Sequence, residues 1–266
     1  MKYYILFNGG KIYYSDSGQG ETIILLHGYL ESSEIWEGFA KKLAKKFRVI
    51  SIDLPGHGLS KVYGDCHTME FLASSVKGLL DCLQIKKVFL IGHSLGGYIT
   101  MAFVELYPEV LRGYCLFHSH PFADSSETLE KREKEIKIVR SGKKYLLYPE
   151  NISKMYGNEN LEKFREAVQR SKDIAATIRD EGIIAVLKGM MARPSRVTAM
   201  EKGKVPCLWI FGRLDNYISG ENARSKVKLP ENVRVVTLEN SGHMGFVEQE
   251  ELSLRIITEF VSGLTH

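Results

Sequence analysis

The sequence predicts a doubly wound, mostly parallel α/β sheet with a helical cap inserted into it. Three observations carry that prediction. Short apolar runs ending in glycine alternate with segments of helical period, the alternation breaks after His118, and it resumes near residue 195. The chain has 266 residues, 44% of them hydrophobic, and a chain of this size buries roughly 75% of the surface its unfolded form exposes. The expected division is a core of residues 1–120 and 195–266 with a cap over 121–194.

"KYYILFNGGKIYYSD" reads as two strands joined at Asn8-Gly9-Gly10, a strong hairpin signal. "TIILLHG" and "FRVISIDLPGHG" are apolar runs that need cover on both faces, as in a parallel sheet. Between them Trp36, Phe39, Leu43 and Phe47 recur at steps of three and four, which predicts an amphipathic helix capped by Ser32 or Ser33. A helix over 68–83, the strand "KVFLIG", a helix over 95–107 and the strand "GYCLFH" continue the rhythm. Residues 121–194 are charged and helix-prone without strand runs, and a stretch that long must carry its own helices. "PCLWIFG", "NVRVVTLE" and "FVEQEELSLRIITEFVSGL" then supply two strands and a final helix.

Composition removes several function classes. A net charge of +4, from 36 Lys+Arg against 32 Asp+Glu, is too small and too interspersed for a nucleic-acid partner. The lysine runs near 41–46 and 131–144 read as solvated helix faces. Cys66, Cys82, Cys115 and Cys207 are scattered, with neither a CxxC pair nor a disulfide framework. The N-terminal apolar run is too short for a signal peptide, and nothing approaches the ~18 apolar residues that span a membrane. The resulting expectation is a cytoplasmic protein, with its oligomeric state left open.

Chemistry concentrates at "KKVFLIGHSLGGYIT". A GxSxG arises by chance roughly 0.15–0.2 times in a chain of this composition, so the pentapeptide needs its setting. Here a strand runs into the motif and a helix leaves it, the context of a nucleophile elbow. A serine at the tip of so sharp a turn is driven toward positive φ, and its neighbours at 92 and 96 must be small. Neither GxxxxGK[ST] nor GxGxxG is matched, which argues against a phosphate cradle.

A serine nucleophile needs a base, and the base an orienting acid. Open α/β sheets gather such groups at the carboxyl ends of their strands. Asp215 follows "CLWIFG" and His243 follows the last strand, giving the order Ser94, Asp215, His243. Taken singly, Asp215 also fits a turn or N-cap aspartate, and His243 a loop histidine satisfied by a carbonyl. The joint order at strand ends is what carries the expectation. The Tyr29 and Leu95 amides are the expected oxyanion hole, and His27 is expected to anchor its loop.

"HGYLESSEIW", "DLPGHGLS", "GHSLGG", "GRLD" and "SGHMGFVEQ" together resemble the α/β-hydrolase fold, in its capped branch of small serine hydrolases. The resemblance covers about residues 20–118 and 200–264. It implies Ser94 as nucleophile, His243 as base, Asp215 as its orienter, the Tyr29 and Leu95 amides as the hole, and no cofactor. Epoxide hydrolases and haloalkane dehalogenases of that family carry aspartate at the elbow, so Ser94 argues against both activities.

His118, Tyr29, Phe122, Tyr217 and Met244 are the candidate substrate-pocket residues. Phe122, Tyr145, Tyr148, Met155, Tyr156, Phe164, Met190 and Met191 divide between packing the cap and lining an apolar pocket. His118 and His120 leave one strand together, but no third ligand is readable, so no metal site is assigned. His93, His57 and His67 read as structural. The expected function is hydrolysis of a small or medium carboxylic ester through an acyl-enzyme. The alternatives are carbon–carbon or thioester cleavage by the same triad, or a small-molecule binding protein with little turnover.

Overall fold

The computed structural model describes residues 1–264. Strands β1 (Lys2–Phe7) and β2 (Gly10–Ser17) form the hairpin. The chain then runs β3 (Thr22–Leu26), α1 (Glu37–Leu43), β4 (Arg48–Ile52), α2 (Met69–Cys82), β5 (Val88–His93), α3 (Leu95–Leu106) and β6 (Leu111–Phe117). Four helices without strands follow: α4 (Ser126–Arg140), α5 (Tyr148–Met155), α6 (Arg165–Thr177) and α7 (Asp180–Ala192). The remainder is α8 (Val197–Glu201), β7 (Cys207–Gly212), α9 (Gly220–Arg224), β8 (Val233–Leu238), α10 (Gly245–Glu248) and α11 (Glu250–Gly263).

The eight strands make one sheet in the order β1-β2-β4-β3-β5-β6-β7-β8, parallel from β4 to β8 with the antiparallel hairpin at one edge. Every residue of β5 and β7 is buried, which is why their sequences are continuous apolar runs without alternation. Helix α1 packs with α11 and α2 with α3, supplying the cover such strands need. The chain leaves β3 toward β4 and then crosses back past β3 to begin β5. That reversal opens a crevice beyond the carboxyl ends of β3 and β5, where α/β sheets bind their ligands.

Two boundaries differ from expectation. Trp36 lies in a short 3₁₀ turn capped by the Ser32 hydroxyl, and α1 ends at Leu43, so Phe47 is outside the helix. A turn at Ala44–Lys46 intervenes, yet Phe47 is still buried because it leads directly into β4. Trp36, Phe39, Phe117 and Phe246 instead form a ring cluster beneath the site, with Trp36 and Phe246 centroids 4.2 Å apart. Among the described residues no helix is long and apolar enough to cross a membrane.

Candidate active site

Ser94 stands between β5 and α3 with φ 49° and ψ −111°. For a side chain bearing Cβ this is a strained conformation, and the surroundings hold it. The Ser94 N–H donates to Phe117 O (3.0 Å), and its carbonyl accepts from the Ser119 hydroxyl (2.7 Å) and the Gly97 N–H (2.9 Å). A Cβ at Gly92 would collide with the Gly96 carbonyl, and one at Gly96 with the Leu26 carbonyl of β3. The glycines are therefore demanded by backbone meeting backbone.

Asp215 lies beyond β7 in a turn that spends its carboxylate fully. Oδ1 accepts the amides of Tyr217 (2.8 Å) and Ile218 (3.1 Å), and Oδ2 accepts His243 Nδ1 (2.7 Å). Burial alone would raise this carboxyl, but the His243 and His118 rings hold it well below the ordinary carboxylate range. It is thus ionised and sets the His243 tautomer with Nδ1 protonated, leaving Nε2 as the basic edge. The His243 backbone is pinned as well: its N–H donates to Met155 O on α5 (2.6 Å). The buried Glu248 carboxylate accepts the flanking amides of Gly242 (2.9 Å) and Met244 (3.2 Å).

Ser94 and His243 both face a cavity of about 460 Å³, a volume suited to a small organic ligand. Tyr29 and Leu30 close one side of it, following the turn at Gly28, and Leu30 itself has φ 61°. The backbone N–H groups of Tyr29 and Leu95 have no acceptor among the described residues. His27 is buried in that loop, accepting the Leu54 N–H at Nε2 (3.1 Å) and donating from Nδ1 to Gly28 O (2.8 Å).

Tyr29, Phe122 and Tyr217 line the cavity; His118 and Met244 do not. The reason is the end of β6 at Phe117. His118 turns back at φ 49° and is fully buried beneath Asp215, its Nε2 accepting the Gly245 N–H (3.1 Å). Its proton is therefore on Nδ1, which lies 3.5 Å from Asp215 Oδ2, and burial pushes the ring down to about 4. Met244 is likewise buried, at the start of α10. His120 parts from His118 and does reach the cavity, where its Nδ1 accepts the Phe122 N–H (3.2 Å). His118, Asp215 and His243 bring ligand atoms within 4.8 Å of one another. Both Nδ1 atoms there face the carboxylate, His243 in a hydrogen bond and His118 at ion-pair distance, so the trio is held together around Asp215.

From the aromatic and methionine residues of 121–194, Phe122, Met155 and Met190 line the cavity. Tyr145 is exposed, and Tyr156 is buried with its hydroxyl on Ser171 (2.9 Å). Apart from Ala123, the rest of that wall is polar: Asp124, Ser125, Thr128, Lys131, Arg132, Glu135 and Asn151. Asp124 receives Arg132 Nε (2.7 Å) and pairs with Arg193 Nη2 (2.7 Å), while the Arg193 guanidinium lies 3.8 Å over the Tyr98 ring of α3. This network ties both ends of the helical segment to the sheet domain.

Residues 21–135 match the model of the α/β hydrolase fold. A solved esterase from Thermogutta terrifontis, with malate bound, superposes with a TM-score of 0.93 at 26% identity over 99% of both chains. The chain has the α/β-hydrolase fold. A Bacillus subtilis protein named as a 2-succinyl-6-hydroxy-2,4-cyclohexadiene-1-carboxylate synthase is 28% identical, over 92% of this chain and 91% of its own. A Paraburkholderia xenovorans 2-hydroxy-6-oxononadienedioate hydrolase is 25% identical, over 95% and 91%. Hydrolase relatives spanning the whole chain support a hydrolytic enzyme.

Proposed function

We propose that this α/β-hydrolase fold protein is a serine hydrolase that cleaves small to medium carboxylic esters. The observation that carries the reading is the 2.7 Å bond between Asp215 and His243 Nδ1, with His243 sharing a cavity with a serine held at positive φ. In this mechanism Ser94 Oγ attacks the ester carbonyl carbon as His243 Nε2 takes the hydroxyl proton. The Tyr29 and Leu95 amides receive the developing oxyanion. Collapse of the tetrahedral species expels the alcohol, which takes the proton from His243. Water then gives its proton to His243 and attacks the acyl carbon, releasing the acid and restoring Ser94. Asp215 stays ionised throughout, holding the imidazole and favouring its charged form.

The helical segment 121–194 serves as the cap that selects substrates. Its polar lining favours short acyl groups bearing oxygen functions over long alkyl chains, since buried polar groups left without partners weaken binding. A panel of p-nitrophenyl esters of increasing acyl length tests this, with turnover expected at acetate and butyrate and little at long chains. No turnover of any ester would reject the reading.

A second reading, carbon–carbon chemistry at the same serine, draws support from the synthase and oxo-dienedioate hydrolase relatives. Cleavage of a vinylogous diketone with every ester left intact would favour it.

A further inference from the structure

Directly behind Ser94 lies a buried pair that the proposed reaction does not use. Glu31, in the turn after β3, and His93, the last residue of β5, are 1% and 0% exposed. His93 Nδ1 is 2.9 Å from Glu31 Oε2, and its Nε2 is 2.9 Å from the carbonyl oxygen of His243. Glu31 Oε2 also accepts the Gly28 N–H.

Both partners of the His93 ring are acceptors. A neutral imidazole has one N–H and one lone pair, so one contact would set lone pair against lone pair. Placing the proton on Glu31 instead would leave the Gly28 N–H on a neutral hydroxyl oxygen, a poorer acceptor than a carboxylate. The arrangement satisfies every donor when both ring nitrogens carry protons.

We propose that His93 is a positioning residue that works as an imidazolium, locking the Gly28–Tyr29 turn to the His243 backbone through Glu31. The inference rests on the serine-hydrolase reading, in which Tyr29 supplies an oxyanion donor and His243 the base. The buried imidazolium then joins the Gly28–Tyr29 turn to the His243 loop, which lies 150 residues beyond His93 in sequence, and the two must keep sub-ångström register around Ser94.

The surroundings suit such a cation. The Trp36 and Phe246 rings cover it with their centroids at 6.2 and 5.0 Å. The histidines around it are His243 (5.0 Å), His118 (6.2 Å) and, beyond Glu31, His27. Asp215 is the second carboxylate whose field it feels. Burial disfavours the charged ring, yet the Glu31 carboxylate overcomes it, and the His93 proton is held above its ordinary range. Burial likewise disfavours the Glu31 anion, but His93 and the Gly28 N–H bring it below its ordinary range. The stabilisation from His93 is thus complete below 6.5 and fades as pH rises through its raised native value. That from Glu31 is complete above 4.5 and fades as pH falls through its lowered one.

Nitrogen-15 NMR of the histidine-labelled wild-type protein tests the charge state directly, with the His93 signals assigned by their loss in His93→Gln. The expected result at neutral pH is a proton on both His93 ring nitrogens. A single protonated nitrogen would overturn the proposal. In Glu31→Gln, kcat for a p-nitrophenyl ester should fall about 10–100-fold with KM little changed. The double variant with His93→Gln should lose no more than the worse single one. Multiplying losses, or a rise in KM with kcat intact, would contradict positioning. Two protonated nitrogens without any ester turnover would reject the serine-hydrolase reading and leave the buried pair standing. One protonated nitrogen with normal turnover would do the reverse, and because the spectrum is taken on wild-type protein it decides even where a variant fails to fold.

Discussion

The carboxyl edge of the sheet and the helical segment 121–194 meet across one cavity, but they are built on different principles. At the sheet edge, position is a backbone property. Ser94 is fixed by positive φ and by glycines packed against carbonyls, and Asp215 by two amides of its own turn. In the helical segment, position is a side-chain property, set by which face each helix turns inward and by the Arg132–Asp124–Arg193 network. The contrast teaches where each kind of change should register. Edge substitutions should remove chemistry with the fold intact, whereas segment substitutions should alter stability or substrate choice.

Ser94→Ala breaks the comparison most severely if it is wrong: ester turnover should fall by about 10⁶-fold with unfolding unchanged. Asp215→Asn keeps the shape but offers the imidazole the wrong tautomer, for a loss of about 10⁴-fold in kcat; a loss under tenfold would mean that Asp215 merely closes its turn. Asp124→Asn should leave chemistry nearly intact while destabilising the protein by about 3 kcal/mol, because it removes the carboxylate that balances the buried Arg193 guanidinium and the partly buried Arg132. Chemical denaturation reads that loss. Phe122→Ala, in the cavity wall, should shift the preference between short and medium acyl chains by about 10-fold or more, a change visible in the ratio of kcat/KM values. Equal losses on all esters would instead place Phe122 among residues that support the machinery.

The same division explains what could be read from the chain. The elbow was legible because strand, glycine, serine and helix are contiguous, and Asp215 and His243 because each follows a glycine-marked strand end. The helpers were not. Ser119 holds the Ser94 carbonyl, Glu248 holds the loop around His243, and Glu31 meets His93 from 62 residues away. In a chain with 26% charged residues, nothing local marks a glutamate as buried. A glutamate three residues after the "HG" turn, and another closing the "SGHMGFVE" loop, are the only signals available in hindsight. The place of His118 was not legible either, because β6 ends at Phe117 and the positive φ that turns His118 away has no glycine to announce it. Which helical-segment residues line the cavity was not legible for the corresponding reason: periodicity says that a helix has an inner face, but not whether that face meets substrate or another helix. Tyr156 packs, Met155 lines the cavity, and they are neighbours.

The central claim is that Ser94 is the nucleophile, and covalent capture tests it most directly. Wild-type protein treated with a fluorophosphonate probe and digested should carry the phosphonyl group on the peptide containing Ser94, in one-to-one stoichiometry. Ser94→Ala should remain unlabelled. Equal labelling of both proteins, or modification mapped to any other residue, would contradict the account.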